Sequence, residues 1–258
     1  MSGNPTDTMI RLDNVSRYFG ALCAVRDLTL HIPRGELFCF LGPNGAGKTT
    51  TIKMLTGLLK PTGGTVEIGG FNIQSDPLAA KRLMGYIPDV PYLYERLTPV
   101  EFFEFTGDLY GVARDTVHRE LERSFEMFGL LPYRGALIKD LSHGYRQRLI
   151  YAATFLHEPK ALFIDEPLVG LDPHTIRLIK DLLVAKARAG MTIFFTTHIL
   201  AIAEAIADRV GIIANGKLAG LGTIEELKRA TGISGSLEDI FLSLTEPGNN
   251  ERDTRIGS

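Results

Sequence analysis

Apolar and polar positions divide the chain into stretches of different character. Across residues 9–41 they predict strands joined by tight turns: 28–32 alternates, Pro33-Arg34-Gly35 interrupts, and 36–41 reads as an apolar strand. Residues 49–59 have helical character and end at the break Pro61-Thr62-Gly63-Gly64. From about 90 to 158 the period is helical, rich in Phe, Leu, Glu and Arg with no convincing strand, and predicts a helical insertion. Three apolar runs of β character follow at 161–165, 192–197 and 209–214. Helical stretches separate them, the pattern of a buried parallel sheet. The end, from about 246 to 258, is polar with Gly, Asn and Arg and reads as a disordered tail. The expectation is one unit over residues 9–245, with the helical segment inserted at about 90–158.

Composition narrows this picture. The 258 residues, 45% hydrophobic and 22% charged, suit one globular unit with a real core. A net charge of -2 gives no hint of a polyanion partner, so nucleic-acid binding is not expected. Cys23 and Cys39 both lie in apolar stretches and read as small buried residues in a reducing compartment, not as a disulfide or metal framework. Met1-Ser2-Gly3-Asn4-Pro5-Thr6-Asp7 has no basic region followed by an apolar run, and the apolar runs are far shorter than the roughly 20 residues that span a bilayer. A cytoplasmic protein is expected, with any membrane role coming through a partner.

Candidate chemistry begins at Gly42-Pro43-Asn44-Gly45-Ala46-Gly47-Lys48-Thr49, which satisfies G-x-x-x-x-G-K-[ST] between a predicted strand and a predicted helix. Glycines there let backbone N–H groups curl around phosphates at the positive end of the helix. ATP with Mg²⁺ is the expected ligand. Lys48 would contact the β- and γ-phosphates, Thr49 would ligate Mg²⁺, and Thr50 would add a phosphate contact.

A second signal is Ala161-Leu162-Phe163-Ile164-Asp165-Glu166-Pro167, an apolar strand ending in two acids. Both carboxylates would emerge at the C-terminal edge of the sheet, where open α/β sheets bind ligands. Asp165 would hold Mg²⁺ directly or through water, and Glu166 would act as general base on the attacking water.

With these motifs in place the sequence resembles the ATP-binding cassette family, the ATPase subunits of ABC transporters, over roughly residues 9–245. Leu141-Ser142-His143-Gly144-Tyr145-Arg146-Gln147-Arg148 looks like the family's signature segment, Gly170-Leu171-Asp172 like its D-loop, and His198 like its switch histidine. Asn14-Val15-Ser16-Arg17-Tyr18-Phe19-Gly20 looks like the adenine-stacking loop, with Phe19 as the stacking residue and Tyr18 in reserve. The resemblance implies an α/β P-loop core with a mostly parallel sheet, an N-terminal antiparallel β subdomain and an inserted helical subdomain. It implies a head-to-tail dimer in which Ser142 and Gly144 meet the γ-phosphate of the opposite subunit. By the same resemblance His198 contacts the γ-phosphate and orients Glu166 and water. Ser142 and Asp172 can also serve as helix N-caps, and both readings can hold together.

Two departures stand out. Asp89 follows Gly85-Tyr86-Ile87-Pro88 where most relatives carry the glutamine that senses the γ-phosphate. A carboxylate there either tightens Mg²⁺ coordination or weakens triphosphate binding by repulsion. In the signature, His143 and Tyr145 replace glycine and glutamine while Ser142 and Gly144 are kept, and His143 could bring a pH dependence to dimerisation.

The aromatic run with Tyr92, Tyr94, Phe102 and Phe103 matches the family's groove for a cytoplasmic helix of the membrane subunit, with at least one ring expected to be exposed. A transporter's energising subunit, peripheral on the inner face of the membrane through a separate permease, is the leading expectation. The Gly-Pro-Asn-Gly-Ala-Gly-Lys-Thr-Thr form, residues 92–98 and residues 236–242 look exporter-like. A cassette protein acting on ribosomes or DNA, or a P-loop phosphotransferase, are the alternatives.

Overall fold

Strands β1 (Thr8–Phe19) and β2 (Leu22–Pro33) form an antiparallel hairpin in the computed structural model, which describes residues 7–90, 92–166, 168 and 171–245. The alternation at 28–32 is real: Leu28, Leu30 and Ile32 are buried while Thr29 and His31 face outward. β4 (Gly63–Ile68) pairs with β1, and the short β5 (Phe71–Asn72) completes an antiparallel sheet of order β2-β1-β4-β5.

The second sheet runs β10-β9-β3-β8-β7-β6. β3 (Leu37–Leu41), β6 (Met84–Ile87), β7 (Ala161–Asp165), β8 (Thr192–Thr197) and β9 (Arg209–Ala214) are mutually parallel, and β10 (Lys217–Gly222) closes the edge antiparallel to β9. The three apolar runs predicted at 161–165, 192–197 and 209–214 are β7, β8 and β9.

The apolar character of β3 is continuous because both faces are covered. Phe38 and Phe40 point into a core shared with the antiparallel sheet and helix α1 (Lys48–Leu55), where they pack on Phe194 at 5.6 and 5.4 Å. Leu37, Cys39 and Leu41 point the other way into the core under the other helices. Successive side chains on a strand face opposite sides. Each such fully buried side chain contributes about 2 kcal/mol of transfer free energy.

α1 is shorter than the predicted 49–59. It ends at Leu55 because Gly57 turns left-handed (φ 69) and breaks the ladder. After α2 (Pro77–Arg82) and β6, the chain is helical among its described residues up to β7, but the first helix, α3 (Pro99–Tyr110), begins later than residue 90. Thr98 sets that start through a reciprocal cap: Glu101 N–H donates to Thr98 Oγ1 at 3.2 Å and Thr98 N–H donates to Glu101 Oε2 at 2.7 Å. α4 (Arg114–Met127) and α5 (His143–Phe155) follow, and Phe103 meets Phe125 edge-on at 5.6 Å between α3 and α4.

The remaining helices are α6 (Pro173–Arg188), α7 (Leu200–Ile206), α8 (Ile224–Thr231) and α9 (Leu237–Thr245). The predicted tail at 246–258 lies outside the described residues, as do Pro167 and Gly170 of the predicted motifs. Cys39 is buried as expected, whereas Cys23 is only half-buried because it lies beside the turn at the tip of the β1–β2 hairpin; neither forms a disulfide.

Candidate functional site

The glycine loop links β3 to α1 at the C-terminal edge of the parallel sheet. Two of its glycines are fixed by sterics. A Cβ on Gly42 would lie 2.5 Å from the Ile213 carbonyl oxygen, and one on Gly47 would lie 2.6 Å from that of Ala24. Gly47 also has φ 113, a region that side chains disfavour. It caps α1 without any side-chain hydrogen bond, so the first-turn amides keep their donors for a ligand.

Lys48 is buried beneath the loop and folds back over it, its Nζ donating to the carbonyl oxygens of Gly42 (2.6 Å) and Pro43 (3.2 Å). Burial pulls its pKa down, and the carboxylates of Glu166 and Asp165 pull it back up. Pro43, Asn44, Gly45 and Thr49 are exposed, Thr50 is half-buried and Ala46 is buried. Main-chain donors, a helix N-terminus and one lysine converge here, a donor set that fits a polyphosphate.

Asp165 and Glu166 end β7 as predicted. Asp165 is buried and accepts from Thr196 Oγ1 at 2.6 Å. Glu166 takes a left-handed backbone (φ 53), uncommon outside glycine. Its Oε2 accepts from His198 Nδ1 at 2.9 Å and from the His198 backbone N–H at 3.3 Å. A carboxylate oxygen accepts, so Nδ1 is the ring nitrogen that donates to Glu166.

No cluster of three or more His, Cys, Asp or Glu capable of holding a metal occurs among the described residues. Mg²⁺ in nucleotide sites is commonly held by one or two protein oxygens together with phosphate oxygens and water. The Thr49 hydroxyl and the Asp165 carboxylate offer such oxygens.

Asp89 is exposed just beyond β6. Tyr86, at the end of that strand, has its pKa pushed up to about 12 by burial first and then by Asp165, Asp89 and Tyr92. β6 pairs with β7 in parallel with Ile87 opposite Ile164, so Asp89, two residues past Ile87, lies at the same sheet edge as the acidic end of β7.

Phe19 ends β1 at the hairpin tip, 46% exposed, with the Arg17 guanidinium 4.5 Å above its ring. The hairpin reaches the glycine loop through Ala24, whose carbonyl closes on Gly47. Tyr18, the reserve candidate, is exposed as well.

Ser142 caps α5, its Oγ accepting from Tyr145 N–H at 3.5 Å. Gly144 follows in the first turn, where a Cβ would meet only Leu171, at 3.9 Å. Asp172 caps α6, its Oδ1 accepting from Thr175 N–H at 3.0 Å and its Oδ2 pairing with Arg148 Nη2 at 3.2 Å. Among the described residues no hydrogen bond ties Ser142 or Gly144 to the glycine loop, Glu166 or His198. The site residues therefore fall into two groups: loop, acids and His198 at the sheet edge, and Ser142, Gly144 and Asp172 at two neighbouring helix N-termini.

The aromatic run divides. Phe103 is in the core and Phe102 is half-buried, while Tyr92 and Tyr94 are 86% and 60% exposed. Tyr92, Phe102, Tyr86 and Tyr110 help line a groove of about 300 Å³.

The sequence motifs do not point to Thr196, and they include Arg148 only as the end of the signature segment, with no role of its own. Thr196 becomes visible only through the β7–β8 register, which sets it opposite Asp165. Its trace in the sequence is a threonine two places before His198. Arg148 closes the second group, reaching Asp172, Thr175 and the Phe128 carbonyl from α5.

The model of the family described as ABC transporter matches residues 25–169. The linearmycin resistance ATP-binding protein LnrL of Bacillus subtilis (strain 168) is 32% identical over 243 residues, 94% of this chain and 76% of its own. The probable multidrug ABC transporter ATP-binding protein YbhF of Escherichia coli (strain K12) is 36% identical over 255 residues, and this chain spans 97% of itself but 44% of that protein. A solved structure of an ATP-binding subunit of an ABC transporter superposes with TM-score 0.89 at 33% identity, covering 93% of this chain and all of the other. Fold, glycine loop, acidic strand end and sequence relationship agree that the chain belongs to the ABC transporter family, as one of its ATP-binding cassettes.

Proposed function

We propose that the chain is the ATP-hydrolysing subunit of an exporter, closing as a homodimer on two ATP·Mg²⁺ and driving a separate membrane permease. The observation that carries this reading is the Glu166–His198 pair at 2.9 Å beside the glycine loop and Lys48. It supplies a base held in place next to a polyphosphate cradle.

Residues 42–50 bind the triphosphate, with Lys48 neutralising its terminal charge and Phe19 stacking on the base. Thr49 and Asp165 hold Mg²⁺, which screens the phosphate charges when bound. Glu166 takes the proton of the attacking water, and His198 fixes the carboxylate that does so. Ser142, Gly144 and Asp172 present two helix N-termini to the nucleotide of a second copy, consistent with their lack of bonds to their own loop.

Export is supported by the names of LnrL, a linearmycin resistance protein, and YbhF, a probable multidrug ABC transporter protein. A separate permease is supported by the names of the relatives, which are called ATP-binding proteins, and of the solved structure, an ATP-binding subunit of an ABC transporter. The groove under Tyr92 is the surface that would receive it.

Three measurements test the proposal. The purified chain should hydrolyse ATP without any acceptor, and Glu166→Gln should stop turnover yet form an ATP-dependent dimer. A multi-spanning protein from an adjacent reading frame should co-purify with it and lose binding in Tyr92→Ala. Phosphoryl transfer that requires an acceptor would overturn the ATPase reading, and a chain that stays monomeric with ATP in Glu166→Gln would overturn the dimer.

A further inference from the structure

Thr196 lies on β8, directly opposite Asp165 of β7, and is fully buried. Its one hydroxyl serves both acids. It donates to Asp165 Oδ1 at 2.6 Å and accepts from the Glu166 backbone N–H at 3.2 Å. A hydroxyl has a single proton, and an ionised carboxylate can only accept, so the proton points at Asp165 and a lone pair is left for the Glu166 amide.

We infer that Thr196 is a positioning residue for ATP hydrolysis, one side chain that sets the orientation of the metal-binding acid and of the general base together. The inference rests on the proposed roles of Asp165 and Glu166.

On the Asp165 side, committing Oδ1 to Thr196 fixes the carboxylate plane and keeps Oδ2 as the oxygen with its full acceptor capacity for an ion or its water. On the Glu166 side, the residue holds a left-handed backbone at φ 53, a conformation that persists only where its surroundings enforce it. It is pinned at both ends: the amide by Thr196, the carboxylate by the ring and backbone of His198. Residues i and i+2 along an extended chain lie on one side, so β8 and the residue just past its end deliver both anchors from a Thr-x-His spacing.

Thr196→Val keeps the β-branched shape in a buried strand and removes only the hydroxyl; Thr196→Ser keeps the hydroxyl. The experiment measures turnover, the Mg²⁺ concentration for half-maximal effect, and the affinity for a fluorescent ATP analogue with and without Mg²⁺. Thr196→Val should lose about 10- to 100-fold in turnover, the usual loss for an outer partner of a metal ligand, and require several-fold more Mg²⁺. Its Mg²⁺-free nucleotide affinity should stay at the wild-type value, and Thr196→Ser should recover most of both losses.

A valine variant equal to wild type in turnover and Mg²⁺ requirement overturns the inference. So does a serine variant as impaired as valine, since packing and not the hydroxyl would then be the cause. If the wild type binds nucleotide with Mg²⁺ but does not turn over, the hydrolysis reading fails, and the Mg²⁺ titration alone decides for or against Thr196. A wild type that binds no nucleotide overturns both.

Discussion

Both hydrogen bonds from His198 to Glu166, from ring Nδ1 at 2.9 Å and from the backbone N–H at 3.3 Å, end on the same carboxylate oxygen, Oε2. Oε1 is thereby the oxygen with spare lone pairs, and its direction is fixed by the histidine. As the proposed base, a carboxylate so arranged is costly to neutralise and cheaper to loosen. Glu166→Gln should reduce ATP turnover by about 10³-fold or more, and His198→Ala by roughly 10- to 100-fold. Because His198 acts through Glu166, the double variant should turn over no more slowly than Glu166→Gln alone. Additive losses in single-turnover assays would show that His198 has a separate task.

Asp172 ties two helices together through its cap on Thr175 and its pair with Arg148. Bonds from the Thr175 side chain and backbone, then from Arg148, hold its pKa down at about 2. A carboxyl whose folded pKa is depressed stabilises fully above its unfolded value of about 3.9 and loses that contribution as pH falls through the folded value. The stability advantage of wild type over Asp172→Ala should thus be constant above about pH 4 and shrink between about pH 4 and 2. Urea unfolding midpoints of the two proteins across that range check this; a difference that does not change with pH would show that neither the cap nor the Arg148 pair depresses the Asp172 carboxyl.

Much of the sheet was legible in the sequence because a parallel strand covered on both faces must be apolar throughout. That is why β7, β8 and β9 coincide with the runs at 161–165, 192–197 and 209–214. β6 is harder to see: it is four residues long and contains Gly85, where a Cβ would meet Thr154 Cγ2 at 2.5 Å. β10 alternates weakly, as an exposed edge does. The glycine loop announces itself because phosphate binding dictates local backbone geometry. The contacts of Thr196 and Arg148 do not, because their partners lie 20 to 31 residues away and meet them only through strand register and helix packing.

Two glycines of the loop should respond differently to alanine. Gly45 has φ 79 but open space around a Cβ, whereas Gly47 has φ 113 and a carbonyl oxygen 2.6 Å away. Gly45→Ala should cost about 1 kcal/mol of stability, the ordinary strain of a left-handed residue. Gly47→Ala should cost on the order of 3 kcal/mol or force the loop away from Ala24, with loss of nucleotide affinity. Thermal unfolding paired with binding of a fluorescent ATP analogue separates these outcomes, and equal effects at the two positions would refute the steric account.

Asp89 poses an electrostatic question with a definite sign. It is exposed, and because β6 pairs with β7 with Ile87 opposite Ile164 its charge lies at the sheet edge where Asp165 is proposed to hold Mg²⁺, yet remains open to solvent. An exposed carboxylate is a poor metal ligand compared with the buried Asp165, and its main effect on an incoming triphosphate is repulsion. Asp89→Gln should therefore lower the KM for ATP by a few-fold while leaving the Mg²⁺ requirement unchanged. The effect should fade as ionic strength rises, since the screening length falls from about 10 Å at 0.1 M salt to about 3 Å at 1 M. A higher Mg²⁺ requirement in Asp89→Gln would reverse the assignment and make Asp89 a partner of the ion. An unchanged KM at low salt would show that its charge is already screened by water.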